Sequence, residues 1–170
     1  LNLISNDQFF NNETVLICLT LFVSKAFGVK TVILDNREKS MECDPSIMIH
    51  YYHIYYLGIG NFEMFEEIGF VIENYSEYKE VLNALKNKTL LNFAIQNKLD
   101  MKIDKKIENF TIEEFCRDYI NTNRCYSKNN LTILKEISKF IHNIITLNVF
   151  IDLDITSFDH LKQYIKSSKF

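Results

Sequence analysis

Hydrophobic and polar positions alternate along the chain in blocks that predict short strands in the first half and helices in the second. From Glu13 to Phe27 the apolar residues Leu16, Leu19, Leu21, Val23 and Phe27 are dense rather than one-sided, which predicts a helix buried on most of its surface. Gly28 stands where such a helix ends in a left-handed residue. Val29 to Leu34 is an apolar run rich in β-branched residues, suited to an internal strand. Leu1 to Ser5 reads as a short strand and Asn6 to Asn12 as a polar loop before the helix. Asp35 to Pro45 is charged and loop-like, and Ile47 to Leu57 mixes aromatics and aliphatics with no clear period. Asn61 can cap a two-turn helix, Phe62 to Ile68, closed by Gly69 and followed by a strand from Phe70 to Glu73.

Beyond Asn74 the pattern turns helical. Ser76 is placed to cap Glu77 to Asn87, with Tyr78, Val81, Leu82 and Leu85 on one face, and Leu90 to Asn97 follows. Thr111-Ile112-Glu113-Glu114 fits a capping box, in which Thr111 and Glu114 satisfy each other's amides, and opens a helix to about Asn121. Leu131 to Thr146 carries Leu134, Ile137, Ile141, Ile144 and Ile145 at core spacing. Val149 to Leu153 reads as a strand and Phe158 to Lys166 as a closing helix. The expected fold class is α/β (α+β). Residues 1–74 form an α/β half and 75–170 a mainly helical half with one late strand, packed together as one domain.

Composition limits the function. The 170 residues are 47% hydrophobic and 14% aromatic, ample for a core, so disorder is not expected. A net charge of −3 argues against broad nucleic-acid binding, which needs a basic face. The scarcity of Gly (4), Pro (1) and Trp (0) beside abundant Asn, Ile, Lys, Phe and Tyr has the skew of an AT-rich genome. In so Asn-rich a chain the Asn-x-Ser/Thr triplets at Asn12, Asn74, Asn87, Asn109 and Asn130 arise by chance. The apolar run Val15–Val23 falls well short of the roughly 20 residues that cross a bilayer, and it has no cleavage signature. Neither a membrane span nor a secretory leader is expected. Four cysteines without a CxxC spacing (Cys18, Cys43, Cys116, Cys125) fit a reduced, intracellular setting, with Cys18 a buried small hydrophobe.

The unit from Ala26 to Asn36, in which a helix ends at Gly28 and a strand opens on Gly-Val-Lys, is followed by the Phe65-Glu66-Glu67-Ile68-Gly69-Phe70 box. Together they resemble the C-terminal half of the GNAT superfamily of acyl-CoA-dependent N-acyltransferases, most of all the divergent members found in large DNA viruses. The resemblance covers roughly residues 1–73 and implies a partial GNAT-like mixed sheet. It also implies a pyrophosphate site in a Gly-rich loop at the N-terminus of the Glu13 helix, where backbone amides and the helix dipole meet the phosphates. By that position the cofactor-binding residues would be Asn11, Asn12, Glu13 and Thr14. The loop Asn6-Asp7-Gln8-Phe9-Phe10-Asn11-Asn12-Glu13 holds no glycine, however, and Asp7 and Glu13 oppose an anion by about 0.3–1 kcal/mol each. Many members of the family place a Tyr at the box aromatic as general acid; here Phe65 stands there and has no proton to give. Tyr55 and Tyr56 are the nearest substitutes.

These departures lead to an expectation of a pseudoenzyme: a non-catalytic GNAT-like domain, with no cofactor, that acts as a protein-binding or structural subunit of a larger, viral assembly. Its groove would be filled by Phe9, Phe10 and Phe65, and it would reside in the cytoplasm, host cytoplasm or virion. The alternative is an active acetyl-CoA-dependent N-acetyltransferase with an unconventional cofactor loop. Other constellations have plainer readings. Cys43, His50 and His53 match no zinc spacing, so no metal is expected, and a Cys18 or Cys43 nucleophile has no defined histidine partner. Asp152, Asp154 and Asp159, with Glu136, read as an edge strand and helix start rather than a cation site. Tyr51 to Tyr56 lack interleaved cations for stacking bases, and Lys102, Lys105 and Lys106 alternate with acids on a solvated loop.

Overall fold

In the computed structural model the described residues are 6–34, 38–41, 44–99, 101–122 and 126–167. The elements in chain order are α1 (Asn6–Ala26), β1 (Thr31–Leu34), β2 (Glu38–Met41), β3 (Asp44–His50), α2 (Tyr51–Ile59), α3 (Glu63–Ile68), β4 (Val71–Ile72), α4 (Tyr75–Lys86), α5 (Leu90–Gln96), α6 (Ile112–Asn121), α7 (Lys128–Ile144), β5 (Val149–Asp152) and α8 (Ile155–Ser167). The α+β composition and the helical run with one late strand after Asn74 are as expected. Both sheets are antiparallel, however, where a mixed sheet was expected. The strand read from Leu1 to Ser5 lies outside the described residues.

The chain divides into two compact units, each drawn from separated segments. The first comprises Leu1–Asp35, Phe62–Glu73 and Asn148–Phe170, and the second Asn36–Asn61 and Asn74–Leu147. In the first unit β5 is the central strand of the order β1-β5-β4. Thr31 stands opposite Asp152 and Leu34 opposite Val149 on one side, and Val71 opposite Phe150 on the other. This corrects two expectations. The Val29–Leu34 run supplies an edge strand with alternating exposure instead of an internal one, and Val149–Asp152 is internal instead of an edge. The side-chain period of two explains the second case: Val149 and Ile151 face the core at 2% and 1% exposure, while Asp152 faces outward and accepts a 2.7 Å hydrogen bond from the Thr31 hydroxyl.

Around this sheet α3 buries Phe62, Phe65 and Ile68, and Phe70 follows them into the core. Gly69 ends α3 at φ +107°, its amide bonded to the carbonyls of Phe65 and Glu66. Only glycine adopts that conformation without strain. The N-cap position of α3 is Phe62, one residue after the expected Asn61. Gly28 ends α1 at φ +76°, as expected.

The α1 helix begins at Asn6, so the expected polar loop from Asn6 to Asn12 is helical. Nor is α1 buried on most of its surface. Cys18 and Leu21 are buried, but Leu16, Leu19, Val23 and Phe27 are open to water. Apolar density alone does not tell how much of a helix is covered: among the described side chains of α1, burial is confined to the side of Cys18 and Leu21.

In the second unit β2 and β3 form a hairpin, with Glu38 opposite His50 and a register shift between Ser40 and Met41. The charged stretch expected as a loop thus supplies two strands. β3 runs directly into α2, which resolves the ambiguous Ile47–Leu57 block into a strand that ends at His50 and a helix. Gly58 lets α2 approach α6 closely: a Cβ there would lie 2.6 Å from Ile120 Cδ1 and 3.0 Å from the Arg117 amide nitrogen. The core gathers Ile49, Ile54, Tyr78, Leu82, Leu90, Phe93, Ile112, Phe115, Leu134, Ile137 and Ile141, all within 1% exposure. α4 starts two residues earlier than Ser76 implied, at Tyr75, with Asn74 as its cap residue at φ +54°. The Thr111–Glu114 capping box is present in full, with Thr111 Oγ1 accepting from the Glu114 amide and Glu114 Oε2 accepting from the Thr111 amide.

Candidate functional site

The residues singled out for acyl-transfer chemistry occupy structural positions. Phe65 lies in the core of the first unit, tilted at 5.9 Å from Phe62 and edge-on at 6.0 Å to Phe70, so its ring packs. Tyr55 and Tyr56 belong to the second unit. Tyr56 is buried, edge-on to Tyr75 and Tyr78, and Tyr55 is half-buried beside Tyr51. Asn11, Asn12, Glu13 and Thr14 are not at a helix N-terminus. They fall in the second and third turns of α1, where backbone amides bond to carbonyls four residues back, whereas the free amides of a helix are those of its first four residues. The position that suggested an anion cradle is therefore the interior of a helix. The side chains of Phe9 and Phe10, expected to fill a groove, lie outside the described residues.

The cysteines and acids resolve in the same way. Cys18 and Cys116 are buried thiols whose pKa values burial pushes up, the opposite of what a nucleophile needs. Cys43 and Cys125 lie outside the described residues. Asp159 pairs with Lys162 at 3.2 Å, and among the described residues no group of three His, Cys, Asp or Glu is arranged to hold a metal ion. Lys102, Lys105 and Lys106 are exposed. A shallow depression of about 300 Å³ lies in the first unit beside Glu66, Gly69, Phe70, Thr156 and His160. There His160 Nε2 donates to the Glu67 carbonyl at 2.9 Å, which fixes the ring to backbone.

Two features escaped the sequence. One is a histidine cluster in the second unit. His50 at the end of β3, His53 on α2 and His142 on α7 come together, with His50 and His142 stacked at 3.8 Å between ring centres. His53 is fully buried, and its Nδ1 shares a 2.8 Å hydrogen bond with the Tyr78 hydroxyl. Its Nε2 is buried with no hydrogen-bond partner. Burial, then the neighbouring His50 and His142, push its pKa from 6.5 down to about 3. Such a ring stays neutral near pH 7 and cannot serve as a proton donor there. Parallel stacking also keeps His50 and His142 from converging on one ion. Nothing in the spacing of His50 and His53 announces His142, which is far along the chain.

The second feature is the outer face of α1. Leu16 is 64% exposed, Leu19 57%, Val23 54% and Phe27 84%, while Cys18 and Leu21 on the other face are 3% and 1% exposed. Thus α1 packs one face into its own unit and presents a second apolar stripe to water. The following edge strand adds Ile33, also well exposed. Among the described residues no helix is long and apolar enough to cross a membrane. Comparison with models of protein families, with curated proteins and with solved structures finds no match for this chain.

Proposed function

We propose that this chain is a non-catalytic protein-binding domain, a structural subunit of a larger assembly, and that the outer face of α1 is its binding surface. The supporting observation is the stripe formed by Leu16, Leu19, Val23 and Phe27 on a helix that already buries its opposite face. Scattered exposed leucines are ordinary, but three large apolar side chains on one face of a helix, continued by Phe27 just past its end, form a patch of the kind that marks interaction sites. Covering it transfers apolar surface out of water at roughly 25 cal/mol per Å². The absence of a usable phosphate cradle at Asn11–Thr14 and the packing role of Phe65 make this reading stronger than acetyl transfer.

Hydroxyl-radical footprinting tests it. The purified protein at sub-micromolar concentration is compared with the same labelled protein in an extract of its source cells. The expected result is reduced labelling of Leu16, Leu19, Val23 and Phe27 in the extract, with the edge strand and α8 unchanged. Equal labelling in both would reject the surface. A thermal midpoint raised by millimolar acetyl-CoA would instead support the N-acetyltransferase reading, because a ligand that binds the native state stabilises it by mass action.

A further inference from the structure

We infer that α1 pairs with α1 of a second copy of this chain, through Leu16, Leu19 and Val23, flanked by Phe27 just past the end of the helix. The inference rests on the binding-surface reading above and names its partner. The spacing of the stripe carries it. Leu16, Leu19, Val23 and Ala26 follow the 3-4-3 alternation of a heptad seam, and the same register continues back in sequence to Phe9 and Asn12. In that frame Cys18, Leu21 and Lys25 fall on the opposite side of the helix, at the positions farthest from a seam. Cys18 and Leu21 are the two that the first unit buries, and Lys25 Nζ donates to the Leu153 carbonyl. Among the described residues, the exposed seam positions Leu16, Leu19 and Val23 are thus distinct from Cys18, Leu21 and Lys25, which anchor α1 in its unit.

A heptad seam is complementary to another seam of the same spacing, because each side chain seats between four side chains of the facing helix. A 21-residue helix spans about 31 Å and offers six turns, enough for two and a half heptads. Along the exposed stripe the flanking positions Val15, Thr20, Phe22 and Phe27 are uncharged; Glu13, one heptad before Thr20, is the one acid at a flanking position of the frame. Area agrees with a reversible dimer. Covering the four exposed side chains removes on the order of 500 Å² per copy, or about 1,000 Å² for the pair, close to the roughly 1,000 Å² at which a specific interface becomes tenable.

Sedimentation of the full chain between about 1 and 500 µM tests the pairing, with Leu19→Glu, Val23→Glu and, as a control on the edge strand, Ile33→Glu. The expected wild-type mass climbs from 20.1 kDa toward twice that value as concentration rises. Both α1 variants remain at the single-chain mass, with the apparent dissociation constant weakened at least tenfold and helical circular dichroism unchanged. Ile33→Glu associates like the wild type. Because Leu19 and Val23 are exposed, these changes leave the core intact; Leu19→Gln serves if the added charge disturbs the helix. A wild type that stays at the single-chain mass throughout overturns the pairing, as does association that both α1 variants retain or that Ile33→Glu abolishes. Footprint protection in extract without self-association leaves the binding surface standing with another partner. Loss of both removes the surface itself.

Discussion

At the scale of single residues, the sharpest chemistry in this chain belongs to His53, and it is destabilising chemistry held in place by packing. The ring has Tyr78 on one nitrogen and no partner on the other, and it faces His50 from β3 and His142 from α7. A folded pKa of about 3 lies below the 6.5 of a free imidazole, so the unfolded chain takes up the proton first. Stability is therefore fully present above about pH 7 and declines as pH falls through 6.5 toward 3. Between pH 7 and pH 5 the unfolded state gains about 2 kcal/mol from this group alone. His53→Asn keeps an acceptor for the Tyr78 hydroxyl but does not titrate, and urea midpoints at the two pH values should show a markedly smaller loss in the variant. Equal losses would mean that His53 is not the group that titrates. The left-handed glycines at 28 and 69 could be read from sequence because their cause is local, a helix end. The histidine cluster could not, since its third member lies 89 positions beyond His53 and is brought in by α7 packing.

At the scale of elements, the same division between local and long-range causes decides what was legible. The Thr111–Glu114 box needs four consecutive residues, and it formed as written. Helices α5 to α8 follow their apolar periods within a few residues, which is as far as frayed ends allow. The edge or centre position of a strand depends on which segments pair. β1 and β5 exchanged their expected places for that reason, although each was recognisable as a strand. The expected burial of α1 on most of its surface failed likewise: the apolar density was legible, but only the fold shows which face is covered. Gly58 is a further long-range effect. Within an isolated helix, Gly→Ala would gain about 1 kcal/mol of propensity. Here a Cβ meets the backbone of α6, with Arg117 N and Cys116 C both at 3.0 Å, and Arg117 Nε donates to the Gly58 carbonyl at 3.3 Å. Backbone cannot rotate aside as a side chain can, so Gly58→Ala should lower stability by roughly 1–3 kcal/mol. A thermal midpoint equal to or above the wild type would show that α2 can move away from α6 without cost.

At the scale of the whole molecule, the order of segments makes folding of the first unit depend on the end of the chain. Its sheet needs β1 from the first segment, β4 from residues 62–73 and β5 from the last segment, and β5 lies between the other two. His50, His53 and His142, Gly58 and the helices α4 to α7 all belong to the second unit, which is complete by Leu147. Ending the chain at Leu147 removes the strand to which both β1 and β4 are hydrogen-bonded, together with the buried side chains of Val149, Ile151 and Leu161. Neither remaining strand can then satisfy its ladder, and a two-residue β4 has no stability of its own. Hydrogen exchange of the truncated chain should show loss of protection at Thr31–Leu34 and Val71–Ile72, while amides of α2, α6 and α7 remain slow. Point substitutions separate the same effects more gently. Ile151→Ala, at 1% exposure on the central strand, should cost about 2–5 kcal/mol, whereas Ile33→Ala, at 69% exposure on the edge, should cost less than about 0.5 kcal/mol. Similar losses at the two sites would mean that the edge strand is covered in solution, and would move the binding surface from α1 toward β1.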